Sequence, residues 1–334
     1  MTDLVQAVEL TRHFDLGRGR IVHAVDGVSL SIAENEIVGL VGESGSGKST
    51  FGKTLLGLLP KTSGQVIYRG ETLPQKYRPR DFRRMAHKMQ MIFQDPYSSL
   101  NPRMTVGEII AEGLRLHDVV KSSEVKEKVA HWLRLVGLHS DHMSRYPHEF
   151  SGGQRQRIGV ARALILEPEF VVCDEPISAL DVSVQAQVIN LLDELKQRLG
   201  LTLLFIAHDL SMVRYVSDRM AVMYLGSLVE TGPADELYFA PKHPYTEILV
   251  ASNPEPDPEA ERRRASTTIT GEIPSPVNVP AGCRFASRCP RVMDICHRDT
   301  PQLLPLRDLD RHVACHLFAD QQTAAEAGVG RKTG

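Results

Sequence analysis

No stretch of this sequence approaches the roughly 18 to 20 consecutive apolar residues that a membrane-spanning helix requires. Its apolar runs, such as Leu201 to Ala207 and Met220 to Leu225, are strand-sized. A bilayer-crossing helix is therefore excluded. Charge of one sign is also missing: 39 Lys and Arg face 41 Asp and Glu, a formal net charge of −2. No overall basic field exists to hold nucleic acid or anionic lipid, so partners must be recognised locally. The N-terminus carries Asp3 and Glu9 and has no basic region followed by an apolar one, so no secretory signal is visible and a cytoplasmic setting is expected. Internal repeats are absent too. What remains is 334 residues, 42% hydrophobic and 24% charged, the composition of an ordinary globular protein with two domains as the starting expectation.

Two residue types are distributed unevenly. Cys173 stands alone, whereas Cys283, Cys289, Cys296 and Cys315 fall within 33 residues, and 11 of the 20 prolines lie at or beyond Pro241. The last quarter is thus a different kind of structure. Up to about residue 250, short apolar runs alternate with amphipathic stretches, which predicts an α/β domain. The segment Asn253 to Glu261 reads as an exposed linker, with Arg262, Arg263 and Arg264 solvated behind it, and residues after Gln321 read as a frayed tail.

One segment carries a specific chemical signature. The apolar strand Ile37 to Val41 runs directly into Gly42, Glu43, Ser44, Gly45, Ser46, Gly47, Lys48, Ser49 and Thr50, which fits G-x-x-x-x-G-K-[ST] in the required strand, loop, helix order. Phe51, Leu55, Leu58 and Leu59 continue at helical spacing until Pro60. The glycines let the loop wrap until its N–H groups point at phosphate oxygens, and the helix N-terminus adds positive potential. Lys48 would reach the β- and γ-phosphates and Ser49 would ligate Mg²⁺. The bland alternative is a glycine-rich turn without a ligand.

Phosphate loops serve many enzymes, so other residues must decide among them. Phe170 to Cys173 delivers Asp174 and Glu175 to a strand's carboxyl end, where ligands of parallel sheets sit. Asp174 would join the Mg²⁺ shell, and Glu175 would orient and deprotonate the attacking water. Alone, the pair could be merely a strand-ending acidic turn. Between these segments, Phe150-Ser-Gly-Gly-Gln-Arg-Gln-Arg157 opens a helix continuing through Ile158, Ala161, Leu164 and Ile165. Its Ser-Gly-Gly turn makes a second anion site that one nucleotide cannot obviously share with the first.

Here the chain resembles the ATP-binding cassette (ABC) ATPases. Ser151, Gly152, Gly153 and Gln154 look like that family's signature, with Phe150 where leucine is usual. The resemblance implies a head-to-tail dimer in which Ser151 and Gly153 contact the γ-phosphate of ATP bound by the opposite subunit. It likewise implies that Gln94 contacts Mg²⁺ and water, that Asp181 in Ser178-Ala-Leu-Asp crosses the dimer interface, and that His208 is the switch histidine. Phe14 is the corresponding choice for stacking on adenine, although a core Phe looks the same. The apolar series Val184, Val188, Leu191, Leu192, Leu195 and Leu199, stopped by Gly200, is core and carries no site.

Further strings narrow the resemblance. Gln94-Asp-Pro-Tyr-Ser-Ser-Leu-Asn-Pro-Arg103, Arg145-Tyr-Pro-His148, Ala179 to Val184, His243-Pro-Tyr-Thr246 and Gly271 to Pro276 look like the ATPase subunits of dipeptide and oligopeptide importers. The fold this implies is α/β: an ABC-type P-loop cassette with RecA-like core, antiparallel β subdomain and helical subdomain, plus a small proline-rich, four-cysteine extension. The nucleotide-binding domain would span 1–252, its helical subdomain about 95–165, the extension 253–320, and a flexible tail 321–334. The implied partners are a second, different ABC ATPase, two membrane permease subunits and an extracytoplasmic solute-binding protein, with the chain peripheral on the cytoplasmic membrane face and no nucleic acid involved. Nickel or glutathione are alternative solutes.

The spacing of Cys283, Cys289, Cys296 and Cys315 lacks the C-x-x-C pairs of structural zinc, yet four thiolates suit zinc or an iron–sulfur cluster, and spacing does not separate them. The family resemblance points to a structural [4Fe–4S] cluster. His297 and His316 read as surface residues and Cys173 as inert core. A GTPase would need N-K-x-D, which is absent. Soluble ABC ATPases of translation or DNA repair are opposed by the single cassette and by the short separation of P-loop and signature, and Glu175 with His208 opposes a non-hydrolysing module.

Overall fold

The computed structural model describes residues 2–178, 180–252, 274–307 and 309–321. The linker prediction over 253–261, part of the 271–276 string and nearly all of the tail lie outside the described residues. The chain opens with two long strands, β1 (Asp3–Asp15) and β2 (Ile21–Ala33), then β3 (Ile37–Val41), helix α1 (Lys48–Leu55), β4 (Ser63–Tyr68), β5 (Glu71–Thr72), α2 (Pro79–Met85) and β6 (Met89–Ile92). Four helices follow: α3 (Pro96–Ser99), α4 (Val106–Leu116), α5 (Val125–Leu135) and α6 (Gly152–Leu164). The α/β alternation resumes with β7 (Phe170–Asp174), α7 (Val182–Leu199), β8 (Thr202–Ile206), α8 (Leu210–Val216), β9 (Arg219–Tyr224) and β10 (Ser227–Pro233). The end comprises α9 (Ala234–Phe239), α10 (Pro244–Ala251), β11 (Leu304–Pro305) and β12 (His312–Val313).

The strands form two sheets. One is antiparallel in order β2-β1-β4-β5, and the other has eight strands in order β11-β12-β10-β9-β3-β8-β7-β6. In the larger sheet β9, β3, β8, β7 and β6 run parallel, and β10, β12 and β11 extend it antiparallel. Every residue of β3, β7 and β8 is buried, as expected of parallel strands covered on both faces. Alternation then splits β3 between two cores: Ile37 and Val41 join the core under the helices, and Val38 and Leu40 join the one shared with the antiparallel sheet. Phe51 and Leu55 of α1 fill this second core.

The helix after the phosphate loop is shorter than its apolar spacing suggests. It stops at Leu55, and Gly57 takes φ +72°, where a Cβ would stand 2.6 Å from the Tyr77 ring. A left-handed glycine just past the helix end turns the chain away. Leu58 is consequently exposed, not part of the buried face. The helical region starts and stops on strong local signals: Thr105 and Glu108 form a capping box on α4, and Ser151 and Gln154 another on α6. Trp132, Leu133, Leu114 and Ile110 are buried between these helices.

Residues 274–321 are joined to the rest by backbone pairing. Glu230 and Thr231 of β10 pair with Val313 and His312, so β12 and β11 lengthen the large sheet. The Arg311 guanidinium donates to the buried Glu230 carboxylate, and Phe285, 1% exposed, packs against Tyr224 and Tyr245. The proline-rich segment therefore leans on the cassette's core through Phe285 and adds only a small cluster of its own, Leu306, Val313 and Cys315 with Phe318 against it.

Candidate functional site

Sheet order assembles the site. Four adjacent parallel strands, β3, β8, β7 and β6, release at their carboxyl ends the phosphate loop, His208, Asp174 with Glu175, and Gln94. In the loop, Gly42 has φ +151° and Gly47 has φ +105°. A Cβ would sit 2.1 Å from the Met223 carbonyl oxygen at Gly42 and 2.0 Å from that of Ala24 at Gly47, so neither position accepts a side chain. Lys48, 4% exposed, donates through Nζ to the carbonyls of Gly42 (2.8 Å) and Glu43 (2.9 Å). Burial pushes its pKa below the usual lysine value, and the nearby Glu175, Asp174 and Glu43 carboxylates pull it back up.

Ser49 Oγ donates to Asp174 Oδ1 at 2.6 Å, and Lys53 Nζ stands 3.7 Å from Oδ2 of the same acid. Asp174 is 2% exposed, so these two oxygens are aligned within the structure. Glu175 has φ 45°, a left-handed conformation rare for a residue with a side chain, and its N–H donates to the Ile206 carbonyl at 2.9 Å. Gln94 Nε2 donates to Glu175 Oε2 at 2.8 Å, and His208 Nδ1 lies 3.7 Å from that same oxygen. Lys48, Ser49, Gln94, Asp174, Glu175 and His208 thus form one constellation.

Ser151 to Gln154 do not join it. Ser151 is exposed at the tip of α6, and its neighbour Gly153 packs so closely on Val184 that a Cβ would lie 2.3 Å from that side chain. Asp181 is the exposed residue opening α7 on the same side. Among the described residues no hydrogen bond or ion pair links Ser151–Gln154 to residues 42–50. Phe14 lies near the end of β1, paired with Val22, half-buried, with the Arg12 guanidinium 4.3 Å from its ring centroid.

Contacts at long sequence separation complete the surroundings and have no sequence signal. Arg288 grips Glu43 of the phosphate loop, and the Tyr245 hydroxyl accepts the Glu43 N–H at 2.8 Å. Arg288 stands only as one arginine among cysteines until the fold brings it across 245 positions.

The cysteines are all free thiols. Cys173 is fully buried, which pushes its pKa up to about 12, in keeping with an inert core position. Cys296 and Cys315 are buried and Cys283 and Cys289 half-buried, with the Cys283 N–H donating to the Cys296 carbonyl at 2.8 Å. Burial raises Cys315 to about 11, and Cys283, Cys289 and Cys296 are each close enough to add to that rise. Their sulfurs are not drawn into a single-ion cage. Among the described residues, the only three His, Cys, Asp or Glu groups whose ligating atoms lie within 4.8 Å of one another are His13, His23 and Asp26. The Arg284 guanidinium already neutralises Asp26 there, so that trio reads as an ion-pair network.

Comparison with known proteins agrees with this geometry. Residues 25–178 match the family model described as ABC transporter, and residues 229–296 match the one described as oligopeptide/dipeptide transporter, C-terminal region. YkfD of Bacillus subtilis (strain 168), provisionally named an oligopeptide transport ATP-binding protein, is 54% identical over 321 residues, covering 96% of this chain and 97% of its own. The oligopeptide transport ATP-binding protein OppF of Escherichia coli (strain K12) is 50% identical over 309 residues, covering 90% of this chain and 92% of its own. Among solved structures, the dimeric post-hydrolysis state of the ATP-binding cassette MJ0796 bound to ADP and Pi superimposes with a TM-score of 0.63 at 26% identity, over 69% of this chain and 98% of that one. The chain belongs to the ABC transporters, as an ATP-hydrolysing subunit of their dipeptide and oligopeptide importer family.

Proposed function

We propose that this subunit hydrolyses ATP at the interface with a second cassette and thereby powers import of peptides through a membrane permease. One observation carries the reading: Lys48, Ser49, Asp174, Glu175 and His208 converge within one chain, while among the described residues Ser151–Gln154 make no hydrogen bond to that cluster, which supports a role for them at another chain's nucleotide. The names of relatives such as OppF supply the solute class and the association with a transport system. No helix among the described residues is long and apolar enough to cross a membrane. The subunit works peripherally on the cytoplasmic face, beside a different ABC ATPase and two permease subunits that receive solute from a binding protein.

The roles follow from the contacts. The loop N–H groups and the start of α1 hold the phosphates, and Lys48 exchanges its carbonyl acceptors for β- and γ-oxygens. Ser49 and Asp174 present hard oxygen donors 2.6 Å apart, a set that fits Mg²⁺ together with Gln94. When bound, Mg²⁺ neutralises charge between the β- and γ-phosphates. Both neighbours of Glu175 contact Oε2, leaving Oε1 to take a proton from the attacking water. His208, exposed beside it, orients water and γ-phosphate. Phe14 stacks on adenine once Arg12 moves off its face.

The extension's four thiols suit an iron–sulfur cluster. Burial, aided by neighbouring cysteines, raises the Cys283, Cys289 and Cys315 thiols, and backbone N–H groups at Phe285, Ala286, Arg291 and Leu317 point at these three sulfurs. Such N–H to sulfur contacts are among the levers that stabilise thiolate-bound clusters. A tetrahedral zinc ion would instead draw sulfurs to about 3.8 Å of one another. Cys283, Cys289, Cys296 and Cys315 would hold a [4Fe–4S] cluster with a structural role. Protein purified anaerobically should be brown and contain iron and acid-labile sulfide; colourless protein with stoichiometric zinc would reverse the assignment. The transport reading is tested by uptake of a labelled peptide into cells with and without this subunit. Import should stop without it, and undiminished import would overturn the peptide reading.

A further inference from the structure

The extension touches the nucleotide site through two arginines that flank its cysteines. Arg288, 7% exposed, donates Nη1 to Glu43 Oε2 at 2.8 Å and Nη2 to Glu43 Oε1 at 2.9 Å, a two-point grip on a carboxylate of the phosphate loop itself. Arg284 donates to the Leu225 carbonyl and to Asp26 on β2, and the next residue after Leu225, Gly226, donates its N–H to the Ser46 carbonyl at 2.9 Å. Glu43 and Ser46 bracket the turn that wraps the phosphates. The loop is therefore held from behind by residues that belong to the cysteine-bearing segment.

Charge gives this grip a consequence for ATP. A triphosphate and an unpaired carboxylate a few ångströms apart repel strongly in a water-poor site. Glu43 occupies the second position of the loop, and its charge is felt by Lys48. We propose that Arg288 is a positioning residue for ATP binding: it neutralises Glu43 and turns that carboxylate away from the phosphates, so that the extension sets the affinity of the nucleotide site. This rests on residues 42–50 being the ATP site. It adds that the extension, over 200 positions away, is part of that site's construction.

The test compares full-length wild-type, Arg288→Met, Arg288→Lys and Glu43→Gln/Arg288→Met proteins by equilibrium Mg-ATP binding, by KM and kcat in the assembled transporter, and by thermal melting. Arg288→Met should weaken ATP binding and raise KM about tenfold with kcat changed less than about threefold. Arg288→Lys, which keeps the charge and loses the two-point geometry, should raise KM about threefold. The double variant should regain most of the lost affinity, because the offending charge has gone with its partner. A merely structural anchor would not be rescued this way, since the double variant lacks the contact too. Unchanged KM in Arg288→Met, or a double variant no better than the single, overturns the proposal. If Arg288→Met melts below the assay temperature, a wild-type KM in Arg288→Lys does so instead. Failure of wild-type protein to bind ATP would fault the nucleotide-site reading, a distinct result.

Discussion

Glu175 occupies a backbone region that L-residues avoid, at a cost of order 1 to 3 kcal/mol that the surrounding sheet must sustain. Its N–H bond to Ile206 and the Gln94 contact maintain it there, which aims the carboxylate out of the end of β7. Glu175→Gln preserves size and hydrogen bonding but abolishes basicity, so hydrolysis should slow at least about a hundredfold while ATP binding persists. Near-normal turnover, measured as phosphate release, would locate the base elsewhere. At this scale the sequence was most legible: Asp174 closes β7, Glu175 and His208 follow β7 and β8, and Lys48 and Ser49 stand out through the G-x-x-x-x-G-K-[ST] spacing of the loop after β3. The left-handed conformation of Glu175 was not legible, because it arises from β8 accepting its N–H. Arg288 was hidden for the same reason, its role depending on a partner far away in the chain.

Among elements, α10 shows how a helix start can carry a pH response. His243 Nδ1 accepts the Tyr245 N–H at 3.1 Å, so the cap requires a neutral ring, and Glu230 accepts the His243 N–H at 2.9 Å. Burial, aided by Arg291, lowers the His243 pKa from 6.5 to about 3. The unfolded chain therefore binds a proton between those values that the folded chain refuses, and stability falls as pH drops below 6.5. The loss amounts to roughly 3 to 5 kcal/mol by the time pH reaches the folded value. His243→Asn keeps a capping oxygen without titrating, so its melting temperature should decline less than wild type's between pH 7 and 4.5; parallel declines would refute the assignment. Strands β3, β7, β8 and β9 were readable from their apolar runs, and α7 ended at Gly200 as its spacing required. The early stop of α1 was not readable from Leu58 and Leu59, because Gly57 and the Tyr77 ring decide it.

For the molecule as a whole, the two anion-binding helix starts serve different nucleotides in the proposed function. Ser151→Arg places a cation and bulk on the α6 tip, outside the chain's own phosphate loop. Turnover at the opposite cassette's site should be abolished in the assembled complex, whereas labelled ATP should still bind the isolated variant with wild-type affinity. Loss of that intrinsic binding would sink the shared-site arrangement. The merging of extension and cassette was not legible, because two-residue strands such as β11 and β12 leave no periodic pattern.

Those two short strands also determine what the sheet shows to the outside. Without residues 304–313, the rim of β10 would offer its amides and carbonyls, flanked by the side chains of Leu228, Val229 and Thr231, to any neighbouring chain. A cassette trimmed to its enzymatic motifs would thus carry an adhesive border, which β12 and β11 cover with two-residue strands too short to recruit a neighbour in their turn.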